Sequence, residues 1–172
     1  MKDTHLYAVI IITVIAFIIL LFVYQAKRQT KKRQADMLDI LSKINNNYGL
    51  NPDKQEVYQN KILALDSQRK FFVFVGKSED VQGEAIELDN VVECKIKKLT
   101  TRVSRLRKGK EQEIEESIRK VQLSFLNKDR SETDVTIYSE IGDGLFELQE
   151  LTKVAEKWQG MIKEVMNVRF TG

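Results

Sequence analysis

The feature that most constrains this chain is an uncharged apolar block, LYAVIIITVIAFIILLFVY from Leu6 to Tyr24, in which Thr13 is the only aliphatic polar interruption. As a helix its 19 positions reach about 28 Å, close to the roughly 30 Å hydrocarbon core of a bilayer. The many β-branched Ile and Val residues are tolerated there because lipid forbids unpaired backbone. Tyr7 and Tyr24 stand at the two ends, where amphipathic rings suit the headgroup layer. A cleaved signal peptide would have a shorter apolar region followed by a small-x-small site, and Gln25-Ala26-Lys27 is not one. The block predicts a single-pass transmembrane helix over 6–24, a signal-anchor behind a short extracytoplasmic tail, 1–5. Lys27, Arg28, Lys31, Lys32 and Arg33 crowd its C-terminal flank, against Lys2 and Asp3 on the other side. The positive-inside rule then places the rest of the chain in the cytoplasm, at the plasma membrane of the cell. These membrane-flanking cations could also attract anionic lipid, but a span already makes membrane residence permanent, so they read first as a topology signal.

Residues 25–56 read as a basic juxtamembrane segment, a short helix and a linker. Met37, Leu38, Leu41 and Ile44 place an apolar stripe on one helical face. Asn45-Asn46-Asn47, then Gly49 and the only proline, Pro52, end the helix and make 45–55 a linker. The stripe either packs back on the domain or pairs with a second copy in a homo-oligomer, being too short for a stable coiled coil alone.

Residues 57–172 form the folded domain, and its first half is punctuated like antiparallel strands. KILALD (Lys61 to Asp66) and KFFVFV (Lys70 to Val75) flank Ser67-Gln68-Arg69 as a hairpin. A polar loop over 76–83, a brief strand over 84–88 and a turn at Asp89-Asn90 follow. Val92, Cys94 and Ile96 then alternate with Glu93, Lys95 and Lys97, the period of a strand with one buried face. Cys94 falls on that face as an inert core residue, since a reactive thiol needs a base or positive field and solvent access. As the only cysteine it also excludes an intrachain disulfide.

Between Lys95 and Lys110 eight cations run without an acid, and Glu111, Glu113, Glu115 and Glu116 follow at once. A turn at Lys108-Gly109-Lys110 would set Arg107, Arg105 and Arg102 opposite Glu111, Glu113 and Glu116, each pair of opposite sign. A helix over 113–123 is the rival, because Ile114, Ile118 and Val121 also have helical spacing. Either way most of the basic run is neutralised internally. Lys95, Lys97, Lys98, Lys108 and Lys110 remain as possible contacts to lipid or a partner. The net charge of +3, from 28 basic against 25 acidic residues, is too evenly balanced for a nucleic-acid surface.

Val121, Leu123 and Phe125 alternate again, and Val135 with Ile137 makes a last strand ending near Ser139. After Gly142-Asp143-Gly144, Leu148, Leu151, Ala155, Trp158, Ile162 and Val165 recur at three and four residues, an amphipathic helix of about five turns. Trp158 in mid-stripe reads as core rather than ligand site. The expected fold class is therefore α+β: the transmembrane helix, then an antiparallel bent sheet or partly open barrel capped by a C-terminal helix. Ala155-x-x-Trp158-x-x-x-Ile162 on such a helix, with the opening ILALDSQRKFFVFV, resembles bacterial domains of the pleckstrin-homology-like (PH-like) class over about Val57 to Met166. The resemblance implies that the helix plugs one open end of the sheet. Lipid-binding members carry a basic signature across the first two strands; only Arg69 and Lys70 stand near that place, so phosphoinositide binding is not implied.

No catalytic constellation is legible. His5, the only histidine, precedes the apolar block, and Gly76-Lys77-Ser78 lacks the upstream glycine of a phosphate loop. No cofactor and no metal site are expected. The sequence thus reads as a non-enzymatic interaction module presenting a PH-like domain to a protein partner through a strand edge or the groove beside the helix. The alternative is a membrane-surface sensor or structural subunit whose basic patches bind anionic lipid headgroups.

Overall fold

The computed structural model describes the backbone of residues 2–58, 60–77, 81–105 and 113–167; the side chains of 2–14, 16, 23, 26–27, 29–30, 77, 81, 102–105 and 113–116 lie outside that description. The strands β1 (Lys54–Tyr58), β2 (Lys61–Asp66), β3 (Phe71–Lys77) and β4 (Val81–Glu87) pair in chain order as a four-stranded antiparallel sheet. A second sheet holds β5 (Val91–Arg105), β6 (Glu113–Asn127) and β7 (Glu132–Ser139), also antiparallel and in chain order. Helix α1 (Lys2–Tyr48) precedes the sheets; the short α2 (Glu140–Asp143) and long α3 (Leu148–Asn167) follow them. The fold is α+β, with two antiparallel sheets and a C-terminal helix.

Alternation places Leu63, Leu65 and Phe72 of the first sheet against Leu123 and Phe125 of the second, with Ala155, Trp158 and Ile162 of α3 closing the core. The Phe72 ring lies 5.5 Å from Phe125 and 5.8 Å from Trp158, within range of favourable aromatic pairing. Burial of each such side chain stabilises by about 1.5–3 kcal/mol. Cys94 is fully buried here, and burial pushes its thiol up to about 12, so it stays protonated and inert.

The outer face of the first sheet is covered as well. Ile62, Ala64, Val73 and Val75 pack against Met37, Leu41 and Leu50, with Ile40 and Ile44 alongside. Strand β2 is thus buried on both faces, which is why its centre, ILAL, reads as an unbroken apolar run rather than an alternation. Gly83 lets α1 approach: a Cβ there would lie 2.6 Å from Ile44 Cδ1 and 2.8 Å from Ile40 Cγ2. The end of α1 is closed by a Schellman motif, with Gly49 at φ 63° and the Leu50 N–H donating to the Asn45 carbonyl over 2.8 Å. Arg69 Nη1 also donates to the Tyr48 carbonyl at 2.9 Å. The turn that carries Arg69 is held by buried Asp66, which accepts from the backbone N–H groups of Arg69 and Asn51.

Several expectations need correction. Among the described residues no helix is long and apolar enough to cross a membrane. This overturns the transmembrane helix over 6–24 and the single-pass, signal-anchor organisation built on it. Residues 6–24 are not a separate element: they belong to α1, which runs through the basic segment and ends docked on the sheet. The side chains of 6–14 lie outside the described residues. The short juxtamembrane helix is likewise the last part of α1. Its stripe packs back on the domain, with Ile40 inside and Leu38 exposed. Strand β1 begins inside the expected linker, and β3 and β4 extend into the expected polar loop. The region after Leu99 is a hairpin: Arg105 lies opposite Glu113 and Arg102 opposite Glu116, the register that charge pairing predicts. The expected Arg107–Glu111 pair and the tip with Lys108 and Lys110 lie outside the described residues.

Candidate functional site: the seam between the two sheets

Two four- and three-stranded sheets facing each other leave two seams, and the molecule treats them differently. Helix α3 fills the one between β1 and β5. Trp158 Nε1 donates to Glu56 Oε2 at 3.1 Å, Lys157 and Tyr58 reach the same carboxylate, and Gln159 Nε2 donates to the Cys94 carbonyl at 3.0 Å. Burial alone would raise the Glu56 carboxyl, but the hydrogen bonds from Lys157, Tyr58 and Trp158 outweigh it and hold the group below its ordinary range. Burial, then the bond to Glu56, pushes the Tyr58 phenol up to about 12.

The seam between β4 and β7 is open. Among the described residues no strand pairs with the outer edge of either. One end is tied by the Lys128 N–H donating to the Asn90 carbonyl at 2.8 Å. The other is tied by an ion pair between Lys61 and Asp143, whose side chains are 7% and 2% exposed. Asp143 is itself oriented by the Ser139 N–H at 2.8 Å. Between these ties lie two cavities, of about 580 Å³ beside Glu87 and Asn127 and about 450 Å³ beside Phe74 and Val135, with Glu84 lining both. The walls carry Glu84, Glu87, Asp129 and Asp134 against Lys120 and Lys128, so the seam is bordered mainly by acids. Unpaired strand edges beside cavities suit an extended peptide, which adds main-chain hydrogen bonds to an edge and places alternate side chains in the hollows.

The residues singled out from sequence do not gather here. Lys97 is engaged by Glu132 and, at 3.5 Å, by Asp134; Lys95 pairs with Glu93 at 2.7 Å. Lys98 is exposed on β5. Arg28, Lys31, Lys32 and Arg33 are exposed on α1, and the Lys27 side chain lies outside the description. Arg69 is used in capping α1, and Lys70 pairs with Asp89 at 3.0 Å. Trp158 is a core residue, fully buried. Among the described residues no group of three His, Cys, Asp or Glu side chains could hold a metal ion. The seam escaped sequence reasoning because its defining property, a missing partner on two edges, is not written in either strand. Comparison with protein-family models, curated proteins and solved structures found no match to this chain.

Proposed function

We propose that this chain is a non-enzymatic interaction module, a PH-like body that takes an extended segment of a protein partner into the seam between β4 and β7. The open seam carries this reading: two unpaired edges flank preformed hollows while the opposite seam is plugged by α3. The strand order and terminal helix support the PH-like description. The acidic border favours a partner segment with Lys or Arg among its side chains. Headgroup binding is less well supported, because Lys95 and Lys97 already face carboxylates. The test is a photo-crosslinking amino acid placed at Ala85 or Thr136 of the full chain in its native cells. Discrete adducts to one protein at both seam positions, absent when the probe stands at Gln68 in the β2–β3 turn, are expected. Adducts at Gln68 with none in the seam would refute the reading.

A further inference from the structure

Of the two edges that border the open seam, only one is unguarded. The ladder of β3 with β4 runs without a break from Phe71 and Glu87 to Lys77 and Val81. On β7 the register shifts where Val121 and Gln122 pair with Tyr138 and Thr136, leaving Ile137 as an extra residue that bends and twists that edge. Natural edges are blunted by bulges, Lys or Pro, and from Gln82 to Glu87 β4 carries none of them.

Which backbone groups β4 offers follows from one hydrogen bond. The Leu88 N–H donates to the Lys70 carbonyl at 2.7 Å, which makes these opposed residues a hydrogen-bonded pair of the antiparallel ladder. Such pairs recur at every second position. Ile86 and Glu84 therefore turn their N–H and C=O groups to β3, whereas Glu87, Ala85 and Gly83 turn theirs away from it, toward the seam. The same count from the Asn127 N–H, which donates to the Ser131 carbonyl, turns Asp134 and Thr136 outward on β7. Among the described residues no hydrogen bond outside the ladder takes the outward groups of β4.

The side chains of β4 sort to two faces. Ile86 enters the core between the sheets, and Glu84 follows it on the same face, lining both hollows. Gly83 and Ala85 lie on the other face beside Ile40 and Ile44 of α1, which are only half-buried. Glu84 and Glu87 are exposed, and among the described residues neither forms an ion pair. Lys120 and Lys128 stand across the seam, on β6 and the β6–β7 turn. A backbone laid along β4 thus has apolar helix surface on one face and a carboxylate on the other.

We infer that the partner segment is a strand of alternating apolar and basic residues that pairs with β4 through the outward groups of Gly83, Ala85 and Glu87. Its apolar residues face Ile40 and Ile44, and its Lys or Arg faces Glu84. The inference rests on the seam reading above and assigns that site its edge and its class of partner.

The probe is a fluorescent heptapeptide of alternating Val and Lys, titrated into the full chain and followed by anisotropy. Saturable binding is expected. Ala85→Pro removes one outward N–H and no ladder bond, and should weaken binding at least tenfold with an unchanged urea midpoint. Thr136→Pro, the equivalent change on β7, should leave it within twofold. Glu84→Lys should weaken it about tenfold, and a heptapeptide of alternating Val and Glu should bind that variant instead. The peptide decides the point without altering the fold: methylating one alternate set of its backbone nitrogens should abolish binding, and methylating the other should leave it within threefold. Loss with both sets, indifference to Ala85→Pro or Glu84→Lys, or no binding at millimolar peptide overturns the inference. A loss confined to Thr136→Pro also overturns it, by moving the strand to β7, and leaves the seam reading standing. The cellular crosslinks at Ala85 and Thr136 judge that reading separately.

Discussion

The two seams of this molecule are built from the same material, strand edges of antiparallel sheets, and end in opposite states. Along β1 and β5 the edge is covered by a helix that brings a tryptophan, an ion pair and a carbonyl-directed glutamine. Along β4 and β7 it is left open between two ties. A covered edge contributes stability and nothing to recognition. An uncovered one is a liability in a free chain unless something pairs with it. Division of labour between seams is the simplest account of why only one is plugged.

The comparison breaks if the open seam proves as costly to alter as the closed one. Trp158→Ala should lose about 3–5 kcal/mol by chemical denaturation, the usual cost of deleting a large core ring, whereas Glu84→Ala should stay within about 0.5 kcal/mol. Equal losses would mean the seam walls are structural. The tie at its end is the exception: Asp143→Ala leaves Lys61 buried without its partner and should cost about 3 kcal/mol, most of it recovered in Lys61→Met/Asp143→Leu. Gly83→Val should push Ile40 and Ile44 away and cost about 1–3 kcal/mol, with faster amide exchange in residues 37–48 but unchanged exchange in α3. A smaller effect sharpens the closed side. Glu56→Gln should cost about 1 kcal/mol at neutral pH. The folded-state pKa of Glu56 lies below its ordinary 4.5, so its contribution is complete above that pH and fades as pH falls through the lower folded value. The urea midpoint of the wild-type chain should therefore drop toward that of Glu56→Gln on acidification.

What could be read in the sequence was whatever one element states by itself. The stripe from Leu151 to Val165 needs only the helical period, and the hairpin register of β5 with β6 needs only the alternation of sign between Arg102, Arg105, Glu113 and Glu116. Strand β1 was missed because KQEVY is mostly polar and follows Pro52 and Asp53, whose signals are those of a loop; its pairing with β2 overrides them. The docking of α1 was legible in principle. A strand with a continuous apolar run demands cover on both faces, and ILAL within β2 together with FFVFV asks for a second layer that the alternating strands do not. The apolar block misled by its composition, which says nothing of where its helix stops. The exposure of Ile141 and Phe146 between β7 and α3 is not legible in the sequence, because these residues follow no helical or strand period.

Helix α1 has neither glycine nor proline between Lys2 and Tyr48, so nothing in it marks a hinge. Its last turns are locked to the sheet by Leu41, Ile44 and the Arg69 cap, and the remainder extends from there as an unbroken axle. The bearing of the seam about that axle is therefore a matter of helical phase. Adding one residue in the stretch before Met37 turns the seam by about 100° and advances it by about 1.5 Å, whereas adding seven returns it nearly to its original heading. Insertion length becomes a dial for the direction in which the open edge faces, with the fold itself untouched.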